Sequence, residues 1–447
     1  MSATTRTTWT AVLPSTMGAR AVSVAREVAG RLRDPRQVRV QAEIASRQSD
    51  FAAYRRWRPS DVAQGDAGLA LLFGYVDACL PGDGWDRRAH EYLSLAARDA
   101  QDLTRVRPSL FGGIAGVAFA ANSLSRDGSR YRRLLGELDR WLAPQAAQHA
   151  RSLEQAGAGV PVGMFDVISG LAGTGAYLLC RRHKAGAARA LEVVLAGLVA
   201  LCGDRGGLPN WHTPIGAMGA DEPMARQFPH GNLNCGLAHG IPGPLALMSL
   251  ATRAGITVPG QREAVHRVAD WLVGHRADDA WGPNWPSAVA LPSPDSLPEQ
   301  PMPGRSAWCY GSPGVARALW LAGSALNAPQ LRALAVEAMA ATYRRPRGRR
   351  FIDSPSFCHG VAGLLQITSR FANDTGDPMF AQAAADLTEQ ILRLYRPDLP
   401  LGFSDLEPGG NPVDQPGLLD GAPGVALALL AAGTDVPPAW DRLFLLS

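Results

Sequence analysis

GSPGVARALWL at 311–321 and GAPGVALALLAAG at 421–433 follow one pattern: a Gly-x-x-Gly, then at once an apolar run. The same pattern recurs as GDAGLALLF (65–73), GIAGVAFAA (113–121), GLAGTGAYLL (170–179), GIPGPLALM (240–248) and GVAGLLQI (360–367). The seven first glycines are 48, 57, 70, 71, 49 and 61 residues apart, irregular but within the range of a two-helix repeat. Each run is apolar on nearly every side, which marks a buried helix. Pro242, Pro313 and Pro423 sit where a first helical turn tolerates a missing N–H.

A second kind of helix precedes each run, beginning near residues 21, 86, 130, 185, 261, 330 and 379. In RYRRLLGELDRWL (130–142), Leu134, Leu135, Leu138, Trp141 and Leu142 share one face, and Arg and Asp lie opposite. Seven amphipathic helices outside and seven buried ones inside predict an all-α chain folded as an α/α toroid. An α-solenoid of stacked pairs carries the same local signature. Glycine at a helix start has an entropic cost, and close approach of seven helix ends around one axis would explain its recurrence.

Length alone would suggest two or three ordinary domains, but repeat architectures escape that count, and the seven repeats predict one unit over 1–447. Of 447 residues 46% are hydrophobic and 19% charged, enough for an extensive core. A net charge of +4 is too mild to make nucleic acid or a membrane surface the main partner. Six Cys in so long a chain are no disulfide framework, and MSATTRTTWTAVLPSTMGAR lacks the apolar core of a signal peptide. No run is long and apolar enough to span a bilayer, so a reducing cytoplasm is the expected setting. Two stretches exceed what a helix pair needs. Residues 203–235 are rich in Gly, Pro, His and Asn, and 277–304 carry Trp281, Trp285 and many prolines. Both read as functional loops or small insertions. The basic run RRPRGRR (344–350) reads as a solvated Arg loop, with an acidic partner as the alternative.

Metal-ligand residues gather just before the glycines. Cys309 lies two residues before the fifth motif, and Cys358 and His359 directly before the sixth. Adjacent side chains do not meet on a helix, so Cys358 and His359 share an ion only where the backbone is irregular. In a toroid consecutive inner helices start at one mouth, which would bring the three together. Two thiolates and an imidazole suit zinc and leave a fourth position open. Spacing alone leaves this reading and a pair of buried thiols both open. At the same phase stand His239, before the fourth motif, and Asp166, before the third. Such a pair suits proton transfer, with the carboxylate orienting the imidazole. Cys235 reads as a core thiol rather than a metal partner of His239. Arg305 suits either a carbonyl or carboxylate of substrate, or a surface ion pair.

Together, W-C-Y-G at 308–311, C-H-G at 358–360, H-G-I-P-G at 239–243 and the seven glycine motifs resemble the lanthionine synthetase C-like family. The resemblance runs from about residue 60 to the end. It implies a double ring of seven outer and seven inner helices, with a small β-rich insertion possible at 203–235. It also implies one zinc ion per chain on Cys309, Cys358 and His359, with His239, Asp166, Arg305 and Tyr310 catalytic. The implied activity is lanthipeptide cyclisation in antibiotic biosynthesis. A Cys thiolate of a dehydrated precursor peptide, leader plus core, adds to dehydroalanine or dehydrobutyrine and closes a thioether ring. A separate dehydratase and an export transporter are the implied partners, with membrane association at most through them. The rivals are a LanC-like protein that binds glutathione or adds it, a protein prenyltransferase-like toroid, and a non-catalytic scaffold. A prenyltransferase-like toroid lacks the W-C-Y-G and C-H-G pair, and a scaffold needs none of these side chains.

Overall fold

Every glycine motif opens a helix. The computed structural model describes residues 9–52, 55–101, 107–156, 159–219, 223–292 and 304–447. Its α-helices are α1 (Ser15–Arg31), α2 (Pro35–Gln48), α3 (Asp66–Cys79), α4 (Trp85–Asp99), α5 (Ile114–Ser123), α6 (Arg132–Gln155), α7 (Leu171–Cys180) and α8 (Ala185–Leu201). They continue with α9 (Pro223–Gln227), α10 (Pro242–Arg253), α11 (Gln261–Gly274), α12 (Ser312–Leu326), α13 (Pro329–Arg344), α14 (Val361–Thr375), α15 (Pro378–Leu394) and α16 (Ala422–Gly433). The seven helices that follow the motifs are α3, α5, α7, α10, α12, α14 and α16. The predicted amphipathic partners are α1, α4, α6, α8, α11, α13 and α15.

Burial separates the two classes as their sequences require. In α16 the first eleven residues are buried, and in α10 the first ten. In α6 the buried residues are Leu135, Leu138, Leu142, Ala146, Ala150 and Leu153, the three-to-four spacing of one helix face. Pro242, Pro313 and Pro423 occupy the first turns of α10, α12 and α16, where no intrahelical N–H is lost. Truncating a leucine inside such a helix, for instance Leu319→Ala, would cost roughly 2–5 kcal/mol.

The chain packs as two compact units: α1–α4 with α14–α16, and α5–α13. In the first, α16 packs on α1, α14 and α3, with α15 against α14 and α4 against α3. In the second, α10 lies against α7 and α12, with α8 on α7 and α6, and α13 on α12.

The recurrence of glycine has a more local cause than the meeting of helix ends about an axis. A Cβ on Gly311 would lie 1.5 Å from the carbonyl oxygen of Arg305, and one on Gly314 would lie 2.3 Å from that of Trp308. Each is the carbonyl six residues upstream, so the segment before the helix folds back onto the helix start. Only a residue without a side chain fits there. The neighbouring loop closes the other side, with Leu237 Cβ 2.9 Å from the Gly314 position.

Strands are short. β1 (Asp204–Arg205) pairs with β2 (Leu208–Pro209) as a tight hairpin. β3 (Asn232–Asn234) pairs antiparallel with β4 (Ala288–Ala290), joining the 203–235 and 277–304 stretches. Of the latter, 293–303 lie outside the described residues. β5 (Asp405–Leu406) pairs with β6 (Pro412–Val413). The basic run is not simply a solvated loop. Arg345 is buried and grips Asp279 at 2.6 Å, Arg344 donates to the Trp281 carbonyl, and Arg350 donates to the carbonyls of Arg345 and Tyr343. Three of its arginines thus fix the 279–283 turn and the end of α13. Among the described residues, no helix is long and apolar enough to cross a membrane.

Candidate functional site

The loops before the buried helices are laced by backbone hydrogen bonds at one phase of the repeat. In the second unit, Phe111 N–H donates to Ile168 C=O, Val167 N–H to Ala238 C=O, and Ala238 N–H to Cys309 C=O. In the first, Cys358 N–H donates to Leu419 C=O, and Leu419 N–H to Ala63 C=O. The participants lie two or three residues before a motif glycine. The residue that follows, directly before the glycine, is held at a fixed place: His239, Tyr310, His359 and Asp420 all occupy it.

In the second unit this frame builds the pair predicted from the sequence. His239 Nδ1 lies 2.7 Å from Asp166 Oδ2. The other carboxylate oxygen of Asp166 accepts the N–H groups of Ser169 (2.7 Å) and Gly170 (2.8 Å) at the start of α7. Those bonds satisfy helix-terminal amides and hold the carboxylate in place. Asp166 is almost wholly buried, whereas the His239 side chain is 38% exposed. The Tyr310 ring lies 6.3 Å from the His239 ring, centroid to centroid, and its hydroxyl accepts from Asn234 Nδ2 at 3.2 Å. Asn234 belongs to β3, and its Oδ1 accepts from Gly236 N–H, so the β3–β4 pair supports the loop before α10. Cys309 is buried in the loop before α12. Arg305, in the same loop, is half-buried and has no ion-pair partner among the described residues. Cys235 is wholly buried, and burial pushes its thiol up to about 12, as befits a core residue.

The first unit holds Cys358 and His359, and here the structure adds residues that sequence reasoning missed. The Cys358 sulfur, a His359 nitrogen and an Asp420 oxygen all lie within 4.8 Å of one another. His359 sits between two carboxylates: Nδ1 is 3.6 Å from Asp420 Oδ1, and Nε2 is 3.2 Å from Asp405 Oδ1. Arg55 joins three acids, reaching Asp405 Oδ2 at 2.9 Å, Asp420 Oδ2 at 2.9 Å and Glu407 Oε1 at 3.2 Å. Burial opposes the charge of Arg55, but these three carboxylates more than offset it and hold its pKa above the ordinary value. Burial pushes Asp420 up, and the nearby Asp405 charge adds to that. Burial also raises Asp405, but His359, Ser354 and Arg55 together bring it below the ordinary carboxylate range.

The donor set fits a divalent transition metal. A thiol, an imidazole and a carboxylate converge, and two buried acids with the half-buried Asp420 face one guanidinium and one imidazole, leaving negative charge for a cation to balance. Asp420 could have been found from the sequence, because it stands directly before the seventh motif as His359 does before the sixth. Asp405 and Arg55 lie outside the motifs and carried no such signal.

A family model described as "Lanthionine synthetase C-like protein" matches residues 56–445. The Nisin biosynthesis protein NisC of Lactococcus lactis subsp. lactis is 26% identical over 328 residues, 71% of this chain and 76% of that protein. The solved structure of a nisin cyclase superposes with a TM-score of 0.72 at 21% identity, covering 92% of this chain and 98% of that one. That likeness bears out the fold class expected from the repeats.

Proposed function

The chain belongs to the lanthionine synthetase C-like family, and from that premise we propose that it is a zinc-dependent lanthipeptide cyclase. The observation that carries the reading is the convergence of Cys358, His359 and Asp420 in a chain that also presents a His239–Asp166 pair at the same phase of its repeat. The printed names of its relatives, nisin cyclase and a nisin biosynthesis protein, point to a peptide as substrate. Cys358 and His359 would hold the metal, and Cys309 is the proposed third ligand on the strength of its W-C-Y-G motif. A zinc ion there supplies Lewis-acid stabilisation of a substrate thiolate near neutral pH while leaving it nucleophilic.

The chain's own residues then have defined tasks. The substrate thiol releases its proton to solvent on becoming the thiolate, one C–S bond forms at the β-carbon of a dehydroamino acid, and the alkene π pair moves to the α-carbon and its carbonyl. Arg305 steadies the resulting enolate oxygen. His239, oriented by Asp166 through Nδ1, delivers the proton to the α-carbon. Tyr310 shapes the wall beside His239. The product has the mass of the substrate and one thiol fewer. We place this chemistry in the cytoplasm, downstream of a dehydratase and upstream of an exporter.

The test is incubation of the purified, metal-assayed chain with a dehydrated Ser/Thr/Cys precursor, followed by thiol alkylation and mass spectrometry. Loss of alkylatable thiols at unchanged peptide mass is the expected result, and retention of every thiol would refute the cyclase reading. Cys309→Ala should lose zinc; full metal content in that variant would remove Cys309 from the ligand set and leave Asp420 as the third protein ligand.

A further inference from the structure

Asp405 lies off the glycine motifs, on β5, yet both of its carboxylate oxygens are engaged beside His359. Its Oδ1 accepts from the Ser354 hydroxyl at 2.7 Å, and its Oδ2 accepts from Arg55 at 2.9 Å and Gln415 at 3.2 Å. Its side chain is fully buried. Oδ1 also lies 3.2 Å from His359 Nε2, near enough for a hydrogen bond although the N–H is not aligned on it, which leaves this buried nitrogen in need of an acceptor. The other ring nitrogen is differently placed. Nδ1 and Asp420 Oδ1 are 3.6 Å apart, too far for a hydrogen bond. That separation is close to the ~3.4 Å expected between two ligand atoms that share a tetrahedral ion at about 2.1 Å.

We infer that Asp405 is the positioning residue of the metal site: it accepts the Nε2 hydrogen of His359 and so presents Nδ1, on the Asp420 side, as the coordinating nitrogen. This rests on the reading of Cys358 and His359 as metal ligands. An imidazole that binds a metal through one nitrogen donates through the other, and a carboxylate there fixes the tautomer and strengthens the ligand. Arg55 extends the arrangement. By clamping Asp405, Asp420 and Glu407 together it ties the segment after α2 to both carboxylates that flank His359. Glu407 is in turn held by Ser49, Asp50 N–H and Asn411, so the clamp is anchored on both sides.

Two measurements test this without reference to turnover. In chelator competition, Asp405→Asn should bind zinc about 10–100-fold more weakly than wild type. An affinity within about twofold of wild type would overturn the inference, because a merely structural role would lower the melting temperature and leave the folded protein's affinity alone. If the variant does not fold, the wild type still decides. Long-range nitrogen–proton NMR of the cadmium-loaded chain should show His359 coupled to the metal through Nδ1, and coupling through Nε2 refutes the assignment. A wild-type chain that binds neither metal would fail at the first titration, and that outcome overturns the ligand reading itself along with Asp405's part in it.

Discussion

His239 and His359 stand at the same step of the same repeat, one residue before a motif glycine, and their surroundings make them different reagents. His239 is held through Nδ1 by a single carboxylate whose other oxygen is occupied by two backbone amides, and its ring is 38% exposed. His359 is 20% exposed, lies between two carboxylates and sits beside a thiol. The repeat supplies the position, and the neighbouring loops supply the chemistry. An imidazole with one carboxylate and solvent access suits proton transfer; one enclosed by acids and a thiol suits a metal. The largest expected effect breaks the two apart. Cys358→Ala should abolish zinc binding and cyclisation together, as read by metal analysis and by thiol alkylation of the product. His239→Asn should keep its full metal content and slow cyclisation by about 10²–10⁴-fold, the usual worth of a positioned acid. Metal loss in His239→Asn, or full metal in Cys358→Ala, would erase the distinction.

A finer cut lies within the His239–Asp166 pair. Asn at 166 can keep an oxygen for the Ser169 and Gly170 amides while placing an amide nitrogen opposite His239 Nδ1. The start of α7 should therefore stay capped, and only the orientation of the imidazole is disturbed. Asp166→Asn should slow cyclisation by about 10²-fold, with zinc content and melting temperature close to wild type. A large fall in stability with an unchanged rate would make Asp166 a helix-start residue rather than an orienting one.

The frame of this comparison was plain in the sequence, and its electrostatic detail was not. The helices were readable because each has ten or more residues: the amphipathic set shows one clear period, and the buried set is apolar throughout and marked by glycines that nothing larger can replace. The helix expected near 185 begins at Ala185, and those expected near 330 and 379 begin at Pro329 and Pro378. Helix α2 escaped notice although Asp34 caps it and Pro35 opens it, because a count of seven pairs had no place for it. The strands, two or three residues each, are too short to show alternation. Among the candidate residues, Cys358, His359, His239 and Asp166 were legible through repeat phase. Arg55 and Asp405 were not, because a buried Arg and a buried Asp look in sequence like any surface pair, and only the fold brings residue 55 to residue 405. Arg345 was misjudged for the same reason.

Asp66 offers the smallest and most specific test of what those donors contribute. Like Asp166 it stands at the start of a buried helix, in the first turn of α3, but neither of its oxygens has a hydrogen-bond partner among the described residues. Burial raises its pKa to about 7, against the pull of Arg39 at 3.8 Å. In the unfolded chain the group titrates near 3.8, so folding disfavours its charged form. The penalty is absent below that value, grows as pH rises and is complete above about 7. Asp66→Asn removes the charge and keeps the shape. Its stability advantage over wild type should vanish in acid and grow by about 1 kcal/mol between roughly pH 6 and pH 8, read from urea midpoints at each pH. If that advantage is instead the same at every pH, leaving a buried carboxylate without donors has no ionisation cost at this helix start.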